Sequence, residues 1–242
     1  MILHIDSQQA DRGEQSSRQI EYQRKNGIDH VSSLKAIAKY KKMSTSKIPL
    51  FPLQHGIYPD GMLQLQIFEV RYLDLIKRCH QTQSPFGVVW LKAGHEVQIP
   101  VENPQLHTIG CLAHIRDITA LQPALFQIKC QGGMRFELIK QEAGPYGVWM
   151  GEVNYIAMDE ATAIPNQFQA SADLLGQWIA NAQQHSLEEQ LPIFKPYQLD
   201  DCAWVSNRWS EILPIATDEK RRLLALTDPV ERLAQVQLYL PD

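Results

Sequence analysis

The hydrophobic pattern of this chain changes its period near residue 160, and that change restricts the fold more than any other feature. Before it, Phe126, Ile128 and Cys130 alternate with Gln127 and Lys129, and Met134, Phe136 and Leu138 alternate with Arg135 and Glu137. Ile109, Cys111, Ala113 and Ile115 repeat the same spacing. A period of two marks strands with one buried face. Residues 86–92 form a nearly continuous apolar run, which predicts a central strand, and residues 148–156 supply the last one. Gln131-Gly132-Gly133-Met134 is expected to turn one strand into the next as a hairpin. After residue 166 the spacing becomes helical. Phe168, Ala172, Leu175, Ile179 and Ala182 make one face, and Cys202, Val205, Trp209 and Ile212 make another. Pro192 and Pro196 interrupt the helices between them. Thr217 is expected to cap a short helix through Leu226. Asp228-Pro229-Val230-Glu231 combines a capping Asp, Pro at the first helical position and an early Glu, and Val230, Leu233, Val236 and Leu240 follow as the buried face. The reading is an α+β fold. About six or seven short strands and one helix close into a barrel over residues 44–158, and a small α-helical subdomain occupies residues 159–242.

The segment Ile48 to Cys79 carries the most local information. Pro49, Pro52 and Pro59 each lack a backbone donor, so they are expected to break the opening strands or mark edges and turns. In Pro59-Asp60-Gly61 the proline presets φ and the glycine is expected to accept a positive φ. An apolar run from Met62 leads into helical spacing at Phe68, Tyr72, Leu75, Ile76 and Cys79, which predicts a helix near residues 67–79. Glu69 and Arg71 could form a binding or acid–base pair; the preferred reading places Glu69 early in that helix, where the macrodipole favours an anion, with Arg71 paired to a neighbouring carboxylate. Phe68, Phe126 and Phe136 are read as core, and Arg135 as an outward polar residue on its strand.

The sequence Pro49-Leu50-Phe51-Pro52-Leu53, then Gly61-Met62, then Leu65-Gln66-Ile67-Phe68-Glu69-Val70-Arg71-Tyr72, resembles the start of the Lon protease N-terminal (substrate-binding) domain. The likeness continues through Phe86-Gly87-Val88-Val89, residues 109–115, residues 132–138, and Leu223-Leu224 with Asp228-Pro229-Val230-Glu231-Arg232-Leu233. It covers about residues 48–240. The resemblance implies a PUA-like barrel, which agrees with the strand count, and it implies recognition of polypeptide substrates. Full Lon proteases add an ATPase motif and a Ser–Lys pair. This sequence has no G-x-x-x-x-G-K-[ST], no G-x-S-x-G and no H-E-x-x-H. The expectation is therefore a stand-alone form without enzyme activity and without a cofactor.

Charge is placed unevenly. Residues 1–43 hold eight basic and five acidic side chains, a net +3, which leaves −7 on residues 44–242 of a chain that is −4 overall. That first segment is rich in Gln, Ser, Lys and Arg and poor in apolar residues, so it is read as a flexible basic extension. Either it touches a partner or it contributes nothing; the second reading is preferred, with Met43 then the natural start. An acidic body is a poor surface for a polyanion, because nucleic-acid affinity comes largely from neutralising phosphates. No apolar run approaches the roughly 20 residues of a membrane span. The N-terminus lacks the pattern of a signal peptide. Cys79, Cys111, Cys130 and Cys202 are far apart and form no C-x-x-C pair, which predicts reduced thiols in a cytoplasmic protein.

His107, Cys111 and His114 are the best metal candidates, but alternation along a strand puts His107 and Cys111 on one face and His114 on the other. No metal site is expected. For binding, aromatics near turns are the better surface candidates: Tyr58 before Pro59, Tyr146 after Pro145, and Phe194 between prolines, with Met62 beside the first. These four form the expected peptide-binding set. The expected partner is unfolded or flexible polypeptide, with a role as adaptor or regulator in protein quality control. The alternative is an RNA-binding PUA-like protein, which the charge of the body disfavours.

Overall fold

The computed structural model describes residues 45–97, 103–185, 187 and 191–241. The basic segment 1–43 lies outside the described residues. Six strands precede the main helical run: β1 (Ser46–Leu53), β2 (Met62–Ile67), β3 (Phe86–Ala93), β4 (Gln105–Gln122), β5 (Leu125–Ala143) and β6 (Trp149–Tyr155). Helix α1 (Val70–Thr82) sits between β2 and β3. The helices α2 (Gln169–Gln184), α3 (Cys202–Ile212), α4 (Thr217–Ala225) and α5 (Pro229–Gln237) follow. The fold is α+β, as the change of period requires. No helix among the described residues is long and apolar enough to cross a membrane.

The sheet is mixed, in the order β2-β5-β4-β3-β1-β6, and β6 also pairs with β5. The pairings β5–β4–β3–β1–β6–β5 therefore form a closed ring, with β2 attached to the first half of β5. β5 makes this possible through its length. Its residues 126–131 pair with β2 and its residues 136–143 pair with β6. Gly132-Gly133 is thus not a hairpin turn; the chain runs straight through it, and β4 turns into β5 at Pro123-Ala124. The glycine at 132 answers a steric need instead, since a Cβ there would strike the Tyr58 carbonyl.

β1 is continuous across Pro49 and Pro52. It pairs with β6 over Ser46–Leu50 and with β3 over Leu50–Leu53. Each proline therefore lies where only one side of the strand is paired, and the missing N–H removes no bond from the other side. Alternate residues go to opposite faces, and both faces are covered. Ile48, Leu50, Val89 and Leu112 cluster with Phe136, Leu138 and Val153. Phe51, Leu53, Phe86, Val88, Cys111 and Ala113 pack with Tyr72, Leu75, Ile76 and Cys79 of α1. Helix α1 begins at Val70, later than its spacing suggested, because β2 stays in register with β5 as far as Ile67↔Phe126. Ile67 then points inward and Phe68 outward, 57% exposed, so Phe68 is not core.

The helical layer packs on the sheet through Tyr58 and Trp90, which join Leu175, Trp204, Leu223, Leu233 and Val236 in one buried cluster. Asp228 caps α5 by accepting from the Val230 and Glu231 N–H groups at 2.8 and 3.2 Å. Thr217 is the first residue of α4 and does not cap it; Ala216 holds the cap position. Arg135 is buried, contrary to its expected outward place. It pairs with Asp159 and donates to the Leu224 and Leu226 carbonyls, and Asp159 also accepts from Arg232 at 2.8 Å.

Candidate functional site

The four residues expected to bind peptide fall in two places. Tyr58 is interior: its N–H donates to Glu211 Oε1 at 2.9 Å and its hydroxyl donates to the Lys220 carbonyl. It is 1% exposed, because α3 and α4 cover the turn that follows it, so it is not a surface contact. Gly61 in that turn bridges Ile193, which places half-buried Met62 and Phe194 on either side of the bridge. Tyr146 lies elsewhere, in the short turn Pro145–Gly147, with φ of 58° and 79% of its surface exposed.

Beside Tyr146 is a pocket of about 210 Å³. Its apolar walls are Pro52, Tyr72, Pro104, Ala143 and Trp149, and Arg71, His95 and Glu96 supply its polar lining. Three segments meet there because Arg71 ties them. Its guanidinium donates to Glu69 at 3.1 Å, to the Gly147 carbonyl at 3.2 Å and to the Glu96 carbonyl at 3.2 Å. The pairing with Glu69 is the one expected from sequence. The same guanidinium lies 4.3 Å from the centre of the Tyr72 ring, and that ring stacks on Phe51 at 4.0 Å. Gln54 N–H donates to Glu96 Oε1 at 2.6 Å, which fixes the far wall. Val70, Val97 and Tyr146 adjoin the three tied residues in sequence and are all exposed. Of these, Val97 belongs to the pocket lining itself.

Tyr146 is exposed, as expected of an aromatic beside a turn, but sequence reasoning did not point to the pocket. Arg71-Tyr72 stood in a recognisable stretch, but nothing in the sequence links residues 52, 72, 104, 143 and 149. Only the antiparallel pairing of β5 with β6, which sets Ala143 opposite Trp149, brings the last two together.

Two other polar clusters are interior. Glu211 lies 2.9 Å from the Arg208 guanidinium, and burial pushes its carboxyl up to about 7 against the pull of that cation. Asp60 nearby is also raised by burial. Cys111 is buried and donates to the Gly133 carbonyl at 3.3 Å, and burial raises its thiol. Among the described residues no group of three His, Cys, Asp or Glu is arranged to hold a metal ion.

A ring of paired strands with one helix on the sheet and four more in a following layer defines the architecture, and a pocket with mostly apolar walls opens beside α1. The chain belongs to the family of the ATP-dependent protease La (LON) substrate-binding domain, whose sequence model matches residues 47–242. Its fold is similar to the crystal structure of a Lon N-terminal domain protein from Xanthomonas campestris. That match has 26% identity and a TM-score of 0.63, covering 81% of this chain and 99% of that one. The N-terminal domain of the Mycobacterium avium complex Lon protease shares the fold at 15% identity and a TM-score of 0.53, over 80% of this chain and 97% of that one. No curated protein matches the chain.

Proposed function

We propose that this chain is a non-catalytic substrate-binding module that recognises unfolded or flexible polypeptide and serves as an adaptor or regulator in protein quality control. The observation that carries this reading is the pocket walled by Pro52, Tyr72, Pro104 and Trp149 with exposed Val97 in its lining, in a chain whose family is defined by substrate binding. Extended chain offers apolar side chains to such a surface, and ordering it on binding takes back part of the interaction energy. Affinity on the order of micromolar or weaker follows. The four cysteines are free and buried, which supports a reducing, cytoplasmic setting.

The test uses the full chain at low ionic strength, with a reduced and carboxymethylated reporter protein and a mixed RNA pool side by side. The reporter is expected to bind and the RNA not to, since the body carries −7. Salt-sensitive RNA binding with no binding of the reporter would overturn the reading.

A further inference from the structure

We propose that the pocket between α1, β1 and the β5–β6 turn anchors one bulky apolar side chain of the bound polypeptide, and that the Tyr72 hydroxyl donates to a main-chain carbonyl of that same segment. The inference rests on the polypeptide-binding reading above and assigns it a site.

Size decides the class of occupant. Pockets for whole small molecules run from roughly 300 to 1,000 Å³. At about 210 Å³, with walls of Pro52, Trp149, Pro104 and Ala143, this one suits a single large side chain. Charge decides against an anion. Arg71 is the cation in the lining, and its guanidinium already pairs with both oxygens of Glu69 and donates to the carbonyls of Gly147 and Glu96. A phosphate or carboxylate would have to compete with Glu69 for that charge. A neutral apolar group leaves the pairing intact and gains contact with the apolar walls.

Tyr72 is the second, independent observation. It lines the pocket, it is 2% exposed, and its hydroxyl has no hydrogen-bond partner among the described residues. Buried hydroxyls are normally satisfied, because an unpaired one costs free energy. Burial also raises its pKa, so it stays protonated and able to donate at neutral pH. A main-chain carbonyl is the acceptor that every polypeptide brings, whatever its sequence. The side chain would then supply selectivity and the hydroxyl would fix the direction of the backbone.

The test measures fluorescence anisotropy of two labelled peptides with the full chain. Both have the same Gly-Ser-Thr frame, one with a central Phe and one with a central Ala. The Phe peptide is expected to bind roughly tenfold more tightly. Ala143→Phe, at an exposed position on the pocket wall, fills the site and should erase that difference. Tyr72→Phe keeps the ring and removes the hydroxyl; it should weaken the Phe peptide about fivefold while the melting temperature holds or rises. If the reporter protein binds wild type and Ala143→Phe equally and the two peptides bind alike, the anchor is wrong while the general reading stands. If Tyr72→Phe binds the Phe peptide as wild type does, the role of the hydroxyl is wrong. If the reporter does not bind wild type at all, both readings fall.

Discussion

Asp159 is shared by two buried guanidinium groups, Arg135 at 2% and Arg232 at 0% exposure. Burial lowers the pKa of Arg135, and Arg232 beside it adds to that, so Asp159 is what makes the pair tolerable. Asp159→Ala would leave two cations facing each other out of water. The expected loss is about 3–5 kcal/mol, read as a lower urea midpoint with unchanged slope. A loss below about 1 kcal/mol would show that water or a rearranged side chain takes over the role. None of this was legible beforehand. Arg135 alternates with apolar residues, and that pattern normally means a solvent face; here the helical layer covers it. The same layer turned Tyr58 from a surface candidate into an interior one. By contrast the pairing of Arg71 with a neighbouring carboxylate is legible, because Glu69 lies two residues away.

At the scale of elements, the turn between β1 and β2 meets α3 and α4 around one carboxylate. Asp60, with φ of 61°, takes the left-handed conformation expected of Gly61. Gly61 is needed for room, since a Cβ there would collide with Glu211. Arg208 and Lys220 face Glu211 from the helices, and Asp60 faces it from the turn. Its folded pKa is raised from 4.5 to about 7, so the folded protein holds a proton that the unfolded chain has released in that window. This contribution is full below about 4.5 and is lost as the pH rises through about 7. Asp60, also raised by burial, acts in the same sense, and His114, lowered by burial, acts against it. The readout is therefore a difference. Wild type should lose roughly 2–3 kcal/mol more than Glu211→Gln between pH 5 and 8. Parallel stability curves for the two proteins would exclude Glu211 as the source. Local pattern gave the capped start of α5 and the turn at Pro59, because both depend on neighbours in sequence. It misplaced the Gly132-Gly133 hairpin because the need for those glycines comes from elsewhere in the fold, Tyr58 some seventy residues away for Gly132 and His114 on the paired strand for Gly133.

For the whole molecule, residues Thr45–Asp242 make one compact unit in which sheet and helices share a buried cluster. A fragment of residues 45–158 would expose Tyr58 and Trp90 and leave Arg135 without its carbonyl acceptors in α4 and the turn after it. It is expected to melt without a cooperative transition, judged by tryptophan fluorescence and near-ultraviolet circular dichroism. A sharp transition near that of the full chain would show that the strands stand alone. The order of strands followed by helices was legible because it needs only the period of the pattern. The pocket was not, because its walls come from five separate stretches of chain. The closed ring has a consequence in time. β1 must pair with β6, about a hundred residues further along the chain, before the circle is complete. Loop closure over that distance is slow, and contacts so far apart raise the contact order. On a ribosome the first strand would emerge well before its last neighbour. Its apolar edge would wait through most of synthesis, which leaves the nascent chain open to aggregation until β6 arrives.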